Sequence, residues 1–256
     1  FRVIAESEIL ATSEGDEWVF SELEVGVNLN GITYGDGLFV AVGWLETDKP
    51  EAVIYTSTDG EVWDQTEVGS GGDAGRLERS ADTRFGVWLR DVAFRDGRFV
   101  AVGSLGCVMT SDDGVDWTRR PTKLIKSTTS SQIPGTALTT YGSHFYCIVP
   151  RDEGFVAVGH AGLALASSAG SSWPRRTWQV PVQGVTFRSV VEHNGDLVAV
   201  GDSGAIRKSN SRLLWAKVND DFEMNDIAAG DGHVIAVGRE GRALVSSNGG
   251  DSWEQV

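Results

Sequence analysis

Residues Leu89 to Trp117 read LRDVAFRDGRFVAVGSLGCVMTSDDGVDW. Short runs rich in Val, Phe and Ala are separated by Asp96-Gly97, by the stretch from Gly103 to Gly106, and by Ser111 to Gly114. Runs of this length, bounded by Gly, Asp and Ser, predict strand, turn, strand, loop, strand, turn, strand. The Asp-Gly pair predicts a tight hairpin between the first two strands, because Gly and Asx tolerate the positive φ angles such turns need.

The same grammar recurs along the chain. Ala-Val-Gly returns at Ala41, Ala101, Ala157, Ala199 and Ala236, each time after Phe-Val, Leu-Val or Val-Ile. Behind each copy a Ser-started turn ends in Trp: Ser57 to Trp63, Ser111 to Trp117, Ser167 to Trp173, Ser209 to Trp215 and Ser246 to Trp253, with a sixth such turn at Ser13 to Trp18. The hairpin signal recurs as YGDG from Tyr34, FRDG from Phe94, EHNG from Glu192 and AGDG from Ala229. Four antiparallel strands per unit and six units, with almost no helical periodicity, predict an all-β protein: a β-propeller whose blades bury their faces only against neighbours. The expected blade units are approximately 1–18, 29–63, 89–117, 145–173, 187–215 and 224–253 of a single domain spanning 1–256. Successive Ala-Val-Gly copies lie 60, 56, 42 and 37 residues apart. The surplus falls at Asp64 to Trp88 and Thr118 to His144, read as long loops on one face.

Phe1 precedes Ser13 by the same interval that separates Phe99 from Ser111. The first blade is therefore expected to lack its innermost strand. Either residues precede Phe1 in the natural protein, or an edge stays unpaired. With neither Met nor a signal-like segment at its start, the chain reads as a processed form or a fragment.

The turn with Ser246, Asn248, Gly250 and Trp253 resembles the Asp-box, SxDxGxxW, of BNR-repeat propellers, a group that includes sialidases. The wider pattern FVAVGxxGxxxxSxDGxxW is similar to propellers of photosystem II assembly-factor type, over nearly the whole chain. That resemblance implies a propeller fold, boxes on the bottom face away from the functional mouth, and an exported or lumenal location. The Asp or Asn can bond the turn's backbone, the Gly relieves positive φ, and the Trp supplies an apolar plate between blades. Ala169 replaces the Asp in one box, and Ser211 and Arg212 replace Asp and Gly in another.

Aligning the units places Asn30, Arg90, Tyr146, Arg188 and Asn225 at one equivalent position, and Trp44, Ser104, His160, Asp202 and Arg239 directly after Ala-Val-Gly. Both sets vary while the scaffold repeats, as residues facing a ligand or partner at the upper mouth should. Three tryptophans outside the boxes, Trp44, Trp88 and Trp178, also map to the upper face, where exposed rings favour protein or carbohydrate contact. Arg175 and Arg176 beside Trp178, and Arg119 and Arg120 after Trp117, suit an acidic protein segment. The reading is a non-enzymatic binding or assembly platform for a protein partner. The alternative is a glycan-active propeller, hydrolase or lectin, using Arg90, Arg188 and Arg239 on a carboxylate.

Other chemistries find no support. Phe1-Arg2-Val3-Ile4 imitates the Phe-Arg-Ile-Pro motif of sialidases, but Arg2 aligns with Val100 in an ordinary second strand. Gly201-Asp202-Ser203-Gly204 imitates a protease nucleophile segment, yet it fills the same repeat slots as Gly103 to Gly106. His144, His160, His193 and His233 lack metal-ligand spacing, and no cofactor loop is visible. No catalytic residue, metal or cofactor is expected. The 36 Asp and Glu against 22 Lys and Arg give a formal charge of -14. That argues against nucleic acid and anionic membrane, and no apolar run is long enough for membrane insertion. Cys107, on a third strand, and Cys147, on the next unit's first strand, could be near neighbours but read as free thiols.

Overall fold

The computed structural model describes residues 2–5, 8–11, 19–48, 50–66, 68, 87–120, 122, 144–174, 185–210, 214–219 and 223–256. These form two compact units, 1–121 and 122–256. Trp178, Arg175, Arg176, the turn from Ser13 to Trp18, residues 211–213 and most of both long loops lie outside the described residues.

The first unit holds three sheets. Sheet one runs Arg2–Ala5, Glu8–Ala11, Val19–Glu22. Sheet two runs Val27–Gly35, Leu38–Leu45, Glu51–Ser57, Asp64–Thr66, and sheet three Leu89–Arg95, Arg98–Gly103, Val108–Ser111, Thr118–Arg119. The second unit holds sheet four, Phe145–Arg151, Gly154–Gly159, Ala164–Ser167; sheet five, Phe187–His193, Asp196–Gly201, Ile206–Ser209, Trp215–Asn219; and sheet six, Met224–Gly230, His233–Gly238, Ala243–Ser246, Glu254–Gln255. Each sheet is an antiparallel meander in chain order. Sheets one and four show three strands among the described residues, the others four. The last strand differs from expectation: it starts at or just after the box Trp instead of ending there. In sheet one, Arg2 pairs with Ala11 through a two-residue connection, one residue out of the register that Val100 and Thr110 adopt.

The hairpins follow the sequence closely. Asp36-Gly37, Asp96-Gly97, Asn194-Gly195 and Asp231-Gly232 all have both φ angles positive, the geometry whose twist matches the flanking strands.

The repeated Phe-Val-Ala-Val run is explained by burial on both faces. Side chains alternate along a strand, so Phe99 and Ala101 of sheet three pack on Val40 and Val42 of sheet two. Leu197 and Ala199 of sheet five likewise meet Val156 and Val158 of sheet four, while its Val198 and Val200 meet Val234 and Ala236 of sheet six. Full burial of each such Val is worth about 1.5–3 kcal/mol. On sheet six the equivalent valine-type face is open, with Ile235 45% and Val237 46% exposed.

The boxes are hydrogen-bonded turns. Ser111 Oγ accepts from Gly114 N at 2.8 Å, Asp113 Oδ1 accepts from the backbone of Val115 and Asp116 at 2.8 Å each, and Trp117 Nε1 donates to the Gly114 carbonyl at 2.8 Å. The turn from Ser57 to Trp63 repeats this with Asp59, and Asn248 does the same uncharged. Where Ala169 stands in place of Asp, buried Ser167 Oγ has no partner, although Trp173 still bonds Gly170 at 2.7 Å. Trp117, Trp215 and Trp253 each pack in the cluster joining their own sheet to the preceding one, the interblade plates that the repeat predicts.

Candidate functional site

The variable position at Asn30, Arg90, Tyr146, Arg188 and Asn225 has a backbone cause. In sheets two to six the pairing of the first two strands shifts register at these residues: Leu29 pairs with Gly43 and Gly31 with Val42, while Leu89, Phe145, Phe187 and Met224 pair with the glycines of their own Ala-Val-Gly. Each variable residue is thus the extra residue of a β-bulge, a device that re-aims a side chain.

The glycine of Ala-Val-Gly holds the bulge in place. A Cβ on Gly43, Gly103, Gly159, Gly201 or Gly238 would lie 2.0, 2.0, 1.9, 1.9 and 2.3 Å from the carbonyl oxygen of Asn28, Trp88, His144, Thr186 and Glu223. The same carbonyls of Trp88, His144 and Thr186 accept from Ser104, His160 and Asp202 N at 2.8, 2.9 and 3.0 Å. A tight turn follows, with Leu105, Ala161, Ser203 and Glu240 at positive φ before a positive-φ glycine. Gly201-Asp202-Ser203-Gly204 is one of these turns. The two variable sets therefore lie at one end of each sheet, joined by a third position that the sequence reading largely passed over: Trp88, His144 and Glu223, two residues before each bulge residue.

In the first unit this end is aromatic. Trp44 of sheet two and Trp88, just before sheet three, stack at 5.4 Å between ring centroids with 26° between planes. The Arg90 guanidinium carbon sits 5.0 Å from the Trp88 ring centroid, a stacking that favours arginine over lysine. Trp44, Trp88 and Arg90 are half-buried, and Asn30 is exposed while its Nδ2 donates to the Leu89 carbonyl at 2.8 Å. Ser104 is buried and accepts from Trp88 N at 2.8 Å. Trp88 Nε1 is buried without a hydrogen-bond partner.

In the second unit the same end is polar. Arg188 Nε donates to Asp202 in an ion pair, both side chains about one-third exposed. Arg239 Nε lies 3.5 Å from Glu223 Oε2. His160 is exposed, with its ring 6.4 Å from His144, whose ring is 6.5 Å from half-buried Tyr146. Asn225 is exposed. One residue further in, Ser189 Oγ donates to Asp226 Oδ1 at 2.7 Å and lies 3.9 Å from Cys147 Sγ, a polar rung across the first strands of sheets four, five and six.

Arg90, Arg188 and Arg239 each meet a partner within their own unit, an indole or a carboxylate. Among the described residues no group of three or more His, Cys, Asp and Glu could hold a metal ion, and no helix is long and apolar enough to cross a membrane. Neither Cys107 nor Cys147 is in a disulfide. Cys107 lies one residue before its expected strand, and burial pushes its thiol up to about 11.

No protein-family model matches the sequence, and a comparison with curated proteins gives no match. Solved structures do match. YCF48 bound to D1 peptide is 15% identical with a TM-score of 0.64, covering 99% of this chain and 76% of that one. YCF48 from Cyanidioschyzon merolae is 17% identical with a TM-score of 0.62, covering 98% and 79%. The extracellular domain of the one-component system BT4673 from B. thetaiotaomicron is 10% identical with a TM-score of 0.56, over 96% of this chain and 32% of that one. At these identities the likeness is one of fold: the chain is a propeller-type all-β protein resembling these structures.

Proposed function

We propose that this chain is a six-bladed β-propeller, its first blade lacking the innermost strand, that works as a binding or assembly platform for a protein partner through the bulge end of its sheets. The observation that carries this reading is the stack of Trp44, Trp88 and Arg90, half-buried rings and a guanidinium held in place by their own unit. Such rings give large contact area at small entropic cost. In the second unit Tyr146, His160, Arg188, Asp202, Asn225 and Arg239 supply polar contacts, and Trp178 joins the set by its place in the repeat. That one structure of similar fold carries a bound peptide supports a peptide-like partner. Another neighbour's being an extracellular domain supports an extracytoplasmic location.

A glycan-binding use of the paired indoles is the second reading, favoured by the same stack. Sialidase-type chemistry fits less well, since Arg188 and Arg239 are neutralised by Asp202 and Glu223. Selection of a displayed peptide library on the full chain separates these. Enriched peptides should lose about tenfold or more in affinity on Trp44→Ala and on Arg188→Ala, and nothing on Val62→Ala, an exposed residue in a box turn. Peptides indifferent to both changes, or saturable binding on a glycan array with no peptide enriched, would overturn the platform reading. So would turnover of a fluorogenic sialoside that is lost on Arg188→Ala.

A further inference from the structure

Three Asn-Gly pairs occur in the chain: Asn30-Gly31, Asn194-Gly195 and Asn248-Gly249. This dipeptide is chemically exposed. Glycine has no Cβ to shield its backbone nitrogen, which is held one ring closure away from the preceding side-chain amide. Asn248 is fixed at both ends of that amide: its Oδ1 accepts from Ser246 Oγ at 2.9 Å and Ser252 N at 3.0 Å, and its Nδ2 donates to Ser252 Oγ at 2.8 Å. Asn30 Nδ2 donates to the Leu89 carbonyl at 2.8 Å, and a Cβ on Gly31 would lie 2.7 Å from Asp91 Cα. In neither pair can the nitrogen swing onto the amide carbon without breaking these contacts.

The third pair is placed differently. Asn194 and Gly195 are exposed at the tip of the first hairpin of sheet five, and nothing lies within 4 Å of where a Cβ on Gly195 would be. The two residues just before them reach the atoms that would react. Gly195 N donates to Glu192 Oε1 at 2.5 Å, and Asn194 Nδ2 lies 3.1 Å from His193 Nε2. A carboxylate thus sits on the N–H that ring closure must give up, and an imidazole sits beside the nitrogen that must leave. These are the positions of a general base and a general acid, each within hydrogen-bond reach.

We propose that Asn194 is a self-modification site, where Glu192 and His193 promote spontaneous deamidation. Gly195 N bonds to Asn194 Cγ while its proton passes to Glu192. The Cγ–Nδ2 bond then breaks as His193, in the tautomer with its proton on Nε2, hands that proton to the departing nitrogen, which leaves as ammonia. The proton on Glu192 returns to the imidazole through solvent. Water opens the succinimide, its hydroxyl adding to a ring carbonyl carbon and its other hydrogen going to the nitrogen released. Opening at Cγ leaves aspartate; opening at the main-chain carbonyl leaves isoaspartate, with a backbone one atom longer. Aspartate suits this turn, since Asp36, Asp96 and Asp231 occupy the matching hairpin tips at the same positive φ. Isoaspartate lengthens a turn whose register depends on its having two residues. The tip closes the end of the hairpin where His193 pairs with Asp196, opposite the bulge end where Phe187 pairs with Gly201. Its chemistry therefore stands apart from partner binding, and either result below leaves that reading untouched.

The test is peptide mapping by mass spectrometry of the full chain stored for several weeks in neutral, weakly buffered solution. The gain of about one mass unit that marks deamidation is followed at each of the three asparagines. Asn194 should convert about tenfold faster than Asn30 and Asn248, which serve as controls within the same molecule. Glu192→Gln keeps an oxygen to accept the Gly195 N–H but is no base, so it should slow Asn194 about tenfold and leave the other two sites alone. His193→Phe, which keeps a flat ring without its nitrogens, should slow it about threefold. Conversion of Asn30 or Asn248 as fast as Asn194, an Asn194 that stays intact throughout, or an unchanged or faster rate in Glu192→Gln would each overturn the assignment. An unchanged rate in His193→Phe would overturn the imidazole's part in it.

Discussion

A methyl group on Gly103 would sit 2.0 Å from the Trp88 carbonyl oxygen, on a backbone at φ -172°, where any residue is comfortable. The requirement at this glycine is space. Gly232 is the opposite case: nothing lies within 4 Å of its would-be Cβ, but its φ is +77°. Gly103→Ala should therefore cost about 3 kcal/mol, because an obstructing backbone cannot step aside without breaking the bulge. Gly232→Ala should cost about 1 kcal/mol, the strain of a left-handed residue alone. Urea unfolding of the two variants checks both values, and similar losses would mean that one mechanism serves both sites. In the sequence these glycines look alike, each closing a short motif. The hairpin pair was legible because positive φ is a local demand that Asp36-Gly37 or Asn194-Gly195 advertises on its own. The carbonyl against Gly103 belongs to a residue 15 positions earlier, so only the folded pairing reveals it.

At the scale of the element, the box turn is an electrostatic as well as a steric device. The backbone N–H of Asp116 holds the Asp113 carboxyl below its ordinary value of 3.8; burial, the next-largest effect, opposes it, and the Val115 N–H and the Ser111 hydroxyl add to the lowering. A group whose folded value is depressed contributes stability above its unfolded value, and that contribution is lost as pH falls through the folded one. The native chain should lose stability from about pH 4 to about pH 2 more steeply than Asp113→Asn, whose side chain keeps the accepting oxygen but cannot titrate. Asn248 already holds its own box uncharged, so the variant should fold. Urea midpoints measured across that range decide it, and parallel curves would show that other carboxylates dominate. The box and its Trp plate were legible because Ser, Asp, Gly and Trp fall within a few residues. The bulges at Asn30, Arg90, Tyr146, Arg188 and Asn225 were not, since an extra residue exists only relative to its partner strand. The alignment found those positions as variable, and the structure gives the reason they can vary. The pairing of Arg188 with Asp202 was missed for a related reason: the two sit in different variable sets and meet only when the bulge turns one toward the other.

At the scale of the whole molecule, stability resides in faces shared between consecutive sheets of the same unit, and it is spread unevenly. Val198 is fully buried between sheets five and six, whereas Val237, on the face of sheet six turned away from sheet five, is 46% exposed. Val198→Ala should cost about 2 kcal/mol through lost burial and the void left behind. Val237→Ala should stay under about 1 kcal/mol. Thermal and urea denaturation of the pair provide the check, and equal costs would mean that Val237 is covered in solution. The sequence announced this mode of packing through the alternation in Phe-Val-Ala-Val, which needs apolar neighbours on both sides of a strand. It announced the bulge end less fully. Trp44 and Trp88 stood out as tryptophans outside the boxes, but their stacking on each other and under Arg90 shows only in the folded pairing.

The interlock between each Ala-Val-Gly and the carbonyl behind it is contained inside a single sheet, made by that sheet's first two strands and drawing on no neighbour. A unit transplanted whole should therefore bring its own correctly shaped bulge and turn with it. Reordering or duplicating units would then reshuffle the side chains at the bulge end without redesigning any turn, a form of evolvability written into one glycine per repeat.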